Sequence, residues 1–315
     1  MIKKIAVIGA GTMGHSIAEC FALYGYPVNL FDTNSETLKN VKKTMDKDLS
    51  ELVEGGLFSE EAIVKSLDNV TLFNDMEKTV EDRDYIIEAA PEKIDIKRDI
   101  FSKLDKYAPE NAVFGSNTSS LSLSEMLTAV SDERKKRMLV DHFYNPALLM
   151  PIIELSFFGN MPEDIFKEIQ EIYKSIKKQT VKILKDVPGL VANRIQQGVA
   201  REVFSLMEQG VAEPAEIDKA LKFGPAFRYA TTGQLEVADL GGLDIWCTVG
   251  DNLLKVMDNS TCANPILREK VEAGKLGVKS GAGFYDYRPE EIEALKKEFN
   301  KRLIHQLKAS EFYIK

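Results

Sequence analysis

Two residue patterns in this chain carry recognisable chemistry. The first is Gly9-Ala10-Gly11-Thr12-Met13-Gly14, a GxGxxG between an apolar run of strand length and a segment with helical spacing. In that setting Gly9 permits a tight turn, Gly11 lets a pyrophosphate approach the backbone, and Gly14 allows close helix–strand packing. The helix N-terminus then faces the phosphates. Asp32 closes the next apolar run, where it can accept hydrogen bonds from a ribose diol and would repel a 2'-phosphate. Thr33 and Asn34 follow it, with no Arg to receive that phosphate. The pattern implies NAD rather than NADP; FAD would fit the loop, but nothing else points to it.

The second pattern is a pair of lone polar residues in apolar runs. His142 ends Met138-Leu139-Val140-Asp141-His142-Phe143, and Glu154 lies in Pro151-Ile152-Ile153-Glu154-Leu155. Buried imidazoles and carboxylates need partners. A strand–turn–strand connection through Asn145-Pro146 would bring the two together. A carboxylate on one ring nitrogen fixes the tautomer and raises the basicity of the other, as removal of an alcohol proton during hydride transfer requires. A purely structural His–Glu pair is the alternative. The other histidines are less suggestive: His15 opens the helix after the glycine loop, where a packing or local polar role is expected, and His305 falls in a polar C-terminal segment. One such histidine among scattered acids does not make a metal site, and no metal is expected.

These residues need elements to hold them. Strands are predicted at Ile5–Ile8, 27–31, 70–73, 85–90, 112–116, 138–143, 152–158 and 181–184. Helical spacing covers 12–24, 35–53 and 162–177, and a short helix opens at Ser59. Short strands separated by helical segments predict an α/β fold with a mostly parallel sheet covered on both faces. After Pro188-Gly189 only helical patterns follow, at 190–209, 214–223, within 235–258 and at 290–307. The expected division is a Rossmann-type domain over 1–187 and an all-helical C-terminal domain over 188–315. An apolar stripe on that domain would be covered in a homodimer.

Composition bounds the rest. A chain of 315 residues with 44% hydrophobic and 29% charged residues has ordinary globular composition. Its 41 Lys and Arg against 49 Asp and Glu give a net charge of −8, which argues against a general nucleic-acid footprint. Cys20, Cys247 and Cys262 match no zinc or disulfide spacing and read as free thiols in a reducing compartment. No stretch reaches about 18 apolar residues, so no membrane span is expected. The N-terminal run is too short for a secretory signal, and a cytoplasmic location is expected.

Over essentially its full length the chain resembles the 3-hydroxyacyl-CoA dehydrogenase family. The resemblance rests on the glycine loop, Glu88-Ala89-Ala90-Pro91-Glu92, Ser116-Asn117-Thr118-Ser119-Ser120, His142-Phe143-Tyr144-Asn145-Pro146, Pro188-Gly189-Leu190-Val191-Ala192-Asn193-Arg194 and Lys279-Ser280-Gly281-Ala282-Gly283-Phe284-Tyr285. It implies a two-domain fold that dimerises through the C-terminal domain. It implies His142 as catalytic base, Glu154 as its orienter, and Ser119 and Asn193 as holders of the reacting oxygen. Glu92, Lys97 and Asn145 would lie by the cofactor's ribose and nicotinamide end, and Lys275 matches a further cofactor-contacting position. The implied substrate is a short acyl-CoA such as 3-hydroxybutyryl-CoA. A dehydrogenase of a small free 3-hydroxy acid and a cofactor-binding protein without turnover are the alternatives; the presence of His142, Glu154, Ser119 and Asn193 together argues against the latter.

Three stretches depart from the family wording. Ala147-Leu148-Leu149-Met150-Pro151 and Phe227-Arg228-Tyr229-Ala230-Thr231-Thr232-Gly233 resemble a side branch that acts on small 3-hydroxy acids not carried on CoA. A gapless count from Asp32 puts Asp48 and Gly55 where the family holds CoA with a Ser and a Lys. Lys42, Lys43 and Lys47 are the nearby cations.

Overall fold

A computed structural model describes residues 2–313. Its sheet is built from β1 (Ile5–Ile8), β2 (Val28–Phe31), β3 (Val70–Phe73), β4 (Tyr85–Glu88), β5 (Val113–Ser116), β6 (Met138–Phe143), β7 (Ile152–Ser156) and β8 (Gln179–Ile183), in spatial order β3-β2-β1-β4-β5-β6-β7-β8. The first six run parallel, β7 is antiparallel to β6, and β8 is parallel to β7. β1, β2, β4, β5 and β6 are buried at every position, which explains their unbroken apolar wording. The order reverses between β1 and β4, so a crevice opens beyond the carboxyl ends of those strands.

Helices α1 (Thr12–Ala22), α2 (Ser35–Glu54), α3 (Glu60–Asp68), α4 (Met76–Val80), α5 (Ile94–Tyr107), α6 (Leu123–Leu127), α7 (Asp132–Lys135) and α8 (Glu163–Ser175) complete this unit. One face of the sheet packs Phe21, Met45, Leu49, Phe166 and Tyr173, and the other packs Phe101, Leu104, Phe114 and Met126. Asn34 caps α2 by accepting from the Glu36 and Thr37 N–H groups. Ser59 caps α3 through the Ala62 N–H.

Several predicted boundaries move, each for a local reason. α1 stops at Ala22 rather than Tyr24 because Gly25 turns the chain at φ +84. The last strand starts at Gln179 and excludes Leu184. Its pairing with β7 carries the polar Gln179 and Lys182 along, while Leu184 is exposed. The helix predicted from Leu190 begins at Ala192, because Gly189 and Leu190 take φ +79 and +49 in a turn. α5 is hidden in a charged stretch: its inward face is Lys97, Phe101 and Leu104, and the buried lysine breaks the apolar signature.

The chain divides into two units. One comprises 1–191 with 300–307, and the other 192–299 with 308–315. The second is helical: α9 (Ala192–Glu208), α10 (Pro214–Phe223), α11 (Pro225–Tyr229), α12 (Gln234–Gly241), α13 (Leu243–Leu253), α14 (Pro265–Glu272) and the ends of α15 (Ile292–Ser310). Within it Phe204 stacks on Phe284 at 5.5 Å, and the Tyr285 hydroxyl donates to Asp218 at 2.6 Å. Among the described residues no helix is long and apolar enough to cross a membrane.

Candidate active site

The carboxyl ends of the parallel strands carry most of the residues singled out by sequence. Beyond β1, Gly9 has φ +106, and a Cβ there would lie 2.8 Å from the Ala89 carbonyl oxygen. A Cβ on Gly14 would fall 1.7 Å from the Gly9 carbonyl oxygen. The fold itself therefore demands these two glycines. Gly11 differs: nothing lies within 4 Å of its missing Cβ, so the protein does not require a glycine there. Its bare backbone leaves open space at the head of α1, whose first turn has no acidic residue and no capping side chain. Asp32 is drawn to the same place. Its Oδ2 accepts from the Ala10 N–H and its Oδ1 from the Asn34 N–H, both at 2.8 Å. A carboxylate so held keeps lone pairs for a diol. Open backbone N–H groups at a helix start beside a fixed carboxylate fit a dinucleotide's pyrophosphate and ribose.

β6 and β7 then bring the polar pair into register. His142 faces Glu154 across the antiparallel ladder. His142 Nδ1 lies 2.9 Å from Glu154 Oε2. Glu154 is fully buried, and its other oxygen accepts from the Val191 N–H at 2.9 Å. That donor is presented by the Gly189–Leu190 turn, which gives the Pro-Gly-Leu-Val wording a physical purpose. A carboxylate can only accept, so Nδ1 carries the proton and Nε2 is left for another partner. Asn117, after β5, accepts from the Phe143 N–H at 2.8 Å and ties this strand end to its neighbour.

Glu92 organises the loop that holds Ser119. Its Oε1 accepts from the Thr118 hydroxyl at 2.6 Å, the Ser119 N–H at 2.9 Å and the Ser120 N–H at 3.1 Å. Burial pushes the Glu92 carboxyl up, but the Thr118 hydroxyl, the Lys97 ammonium and the Ser120 and Ser119 donors together hold it below the usual range. Lys97 is fully buried and meets both oxygens of Glu88 at 2.8 Å and Glu92 at 3.3 Å. Its ammonium thus supports Glu92 from behind and has no surface of its own to offer a cofactor. Asn145 is exposed in the β6–β7 connection. Asn193 and Lys275 belong to the second unit, the first half-buried in the opening turn of α9, the second exposed after α14.

Two residues that the sequence reading quoted within motifs but gave no role lie at the site. Glu88, buried at the end of β4, also accepts from the Ser116 hydroxyl at 2.6 Å and the Ala90 N–H at 2.7 Å. It bears the same signal as Glu154, a lone carboxylate in an apolar run. Tyr144 sets its ring edge-on to His142, with centroids 5.3 Å apart. Burial, reinforced by the Glu154 charge, pushes its hydroxyl up to about 12, so it stays a proton donor throughout the working range.

Comparison with known proteins supplies the context. The NAD binding domain of 3-hydroxyacyl-CoA dehydrogenase matches residues 4–187, and the 3-hydroxyacyl-CoA dehydrogenase C-terminal domain matches 189–287. The chain is 35% identical over 286 residues to the 3-hydroxybutyryl-CoA dehydrogenase of Clostridioides difficile, spanning 90% of this chain and 99% of that one. It is 30% identical over 304 residues to the 5-formyl-3-hydroxy-2-methylpyridine 4-carboxylate 5-dehydrogenase of Mesorhizobium japonicum, spanning 96% and 97%. The crystal structure of a 5-formyl-3-hydroxy-2-methylpyridine 4-carboxylic acid 5-dehydrogenase, described as an NAD+ dependent dismutase, superposes with a TM-score of 0.88 at 30% identity, covering 97% of each chain.

Proposed function

The chain belongs to the 3-hydroxyacyl-CoA dehydrogenase family, with NAD as cofactor, and from that membership and the His142–Glu154 pair we propose that it interconverts a 3-hydroxyl and a 3-keto group. When bound, NAD supplies the hydride acceptor or donor. His142 Nε2 takes the hydroxyl proton during oxidation and returns it during reduction. Glu154 holds the ring in the tautomer that exposes Nε2 and balances the imidazolium charge. Ser119 and Asn193 hold the substrate oxygen, where fixed donors stabilise developing charge. Asp32 and the glycine loop hold the cofactor, and Glu92 sets the Ser119 loop with Lys97 behind it. Asn145 and Lys275 complete the cofactor contacts. The 188–315 segment serves substrate binding and homodimerisation.

The substrate we put first is a short 3-hydroxyacyl-CoA, as in the family's name. A small free acid is the second reading, and one specific observation favours it. A Cβ on Gly55 would lie 2.6 Å from Ile304 Cγ2, so a lysine there would have to displace Ile304, and by the gapless count from Asp32 the other CoA-holding position is the carboxylate of Asp48. A steady-state panel with NADH, acetoacetyl-CoA, longer 3-ketoacyl-CoAs and small free 3-keto acids tests both. Saturable turnover of the thioesters supports the first. Turnover confined to free acids supports the second, and none with any of them overturns the reaction.

A further inference from the structure

We propose that His15, Glu19 and Asp48 form a binding site for a divalent transition-metal cation of the zinc class, beside the glycine loop. His15 and Glu19 stand one helical turn apart on α1, and Asp48 faces them from α2. One ligand atom from each lies within 4.8 Å of the other two. Glu19 is fully buried, yet neither of its carboxylate oxygens has a hydrogen-bond partner. A buried carboxylate without a partner is a strongly unfavourable arrangement unless a proton or a cation compensates it.

The orientation of His15 points the same way. Its Nδ1 lies 2.7 Å from the Gly11 carbonyl oxygen, which can only accept, so Nδ1 carries the proton. Nε2 is then turned toward Asp48 Oδ2 at 3.1 Å. In a neutral ring that places a lone pair against a carboxylate. A ligating histidine characteristically donates its other ring N–H to a backbone carbonyl. One imidazole nitrogen and two carboxylates form a donor set suited to zinc, and a dication neutralises both acids. Tetrahedral bonds of about 2.1 Å separate ligand atoms by roughly 3.4 Å; His15 Nε2 and Asp48 Oδ2 already lie 3.1 Å apart, so the movement needed is the approach of Glu19 from within 4.8 Å. Three protein ligands leave one position for solvent or a ligand oxygen. The cleft alongside is lined by Ser16, Asp48, Glu51, Asn145 and Asn300. This site does not rest on the proposed dehydrogenation.

The test uses the full chain, stripped with EDTA and alkylated at the exposed thiols Cys247 and Cys262 so that they cannot take up zinc. Zn2+ is titrated by calorimetry and by thermal unfolding. The expected result is one ion per chain and a rise in Tm with Zn2+ concentration. Glu19→Gln and Asp48→Asn should each weaken binding at least tenfold. Asp48 is partly exposed, so its variant serves if Glu19→Gln does not fold, and unchanged NADH binding by Asp48→Asn verifies the fold. Absence of saturable binding by the wild type overturns the proposal. So does wild-type affinity in a folded variant. A metal-free Glu19→Gln that is more stable than a wild type showing no zinc response also overturns it, and makes Glu19 a neutral buried acid.

Discussion

At the scale of single residues, three glycines of one motif have different reasons to exist. Gly14→Ala must displace the Gly9 carbonyl and should destabilise the protein by several kcal/mol, of order the larger core substitutions. Gly11→Ala meets no protein atom, so it should fold with a near-normal Tm while NADH affinity falls at least tenfold. Unfolding curves and a fluorescence titration separate the two. Normal NADH affinity in Gly11→Ala would remove the pyrophosphate from that loop. For the proposed reacting pair, His142→Gln should retain most NADH binding and lose turnover by roughly 10²–10⁴-fold, the usual worth of a positioned acid–base group. Glu154→Gln should also lose turnover. The double variant should lose much less than the product of the two fold-losses, because the residues act through one ring. Near-normal kcat in His142→Gln would end the assignment.

At the scale of elements, neighbouring strands and helices hold one another through buried polar groups. Asp141 on β6 accepts at Oδ2 from the Tyr85 hydroxyl of β4 at 2.6 Å and from the Tyr173 hydroxyl of α8. Gly115 on β5 makes room for it, since a Cβ there would sit 2.8 Å from Asp141 Oδ2. Burial pushes Asp141 up to about 6, against the two tyrosine hydroxyls and His142, which pull it down. A raised carboxyl contributes stability that is fully present below its ordinary value near 4 and lost as pH rises through about 6. The loss is on the order of 3 kcal/mol. Asp141→Asn should therefore gain on the wild type by about that much between pH 4 and 7 in denaturant unfolding. A gap that stays flat would mean Asp141 is not strained by ionisation. Lys97→Met tests the support behind Glu92. It strands Glu88 in the interior and should cost about 3–5 kcal/mol, with the Ser119 loop loosened as well.

At the scale of the whole molecule, the second unit leaves unusually large apolar side chains in water: Leu235 is 84% exposed, Leu240 80% and Phe227 70%. Large apolar side chains so fully exposed, and so near one another in the chain, point to a surface that a partner covers. We therefore expect a homodimer formed through this unit, and Leu240→Asp should shift the mass measured by light scattering toward a single chain. A monomeric wild type at micromolar concentration would rule it out.

The sequence alone determined whatever depends on local order. The glycine loop with Asp32, the alternation of strands and helices, and the His142 and Glu154 positions are all legible because each is a short-range pattern of burial or turn geometry. Lone polar residues in apolar runs announced buried partners, and the turn between their strands already paired His142 with Glu154, though not Glu154 with the Val191 N–H. Only the tertiary structure decided that Gly14 is steric while Gly11 is open, that Lys97 lies behind Glu92, and that the Gly189–Leu190 turn brings the Val191 N–H to Glu154. Only it brought Asp48 to His15 and the partnerless Glu19. These facts depend on contacts between residues far apart in the chain, and no local periodicity encodes which distant atoms will share a desolvated space.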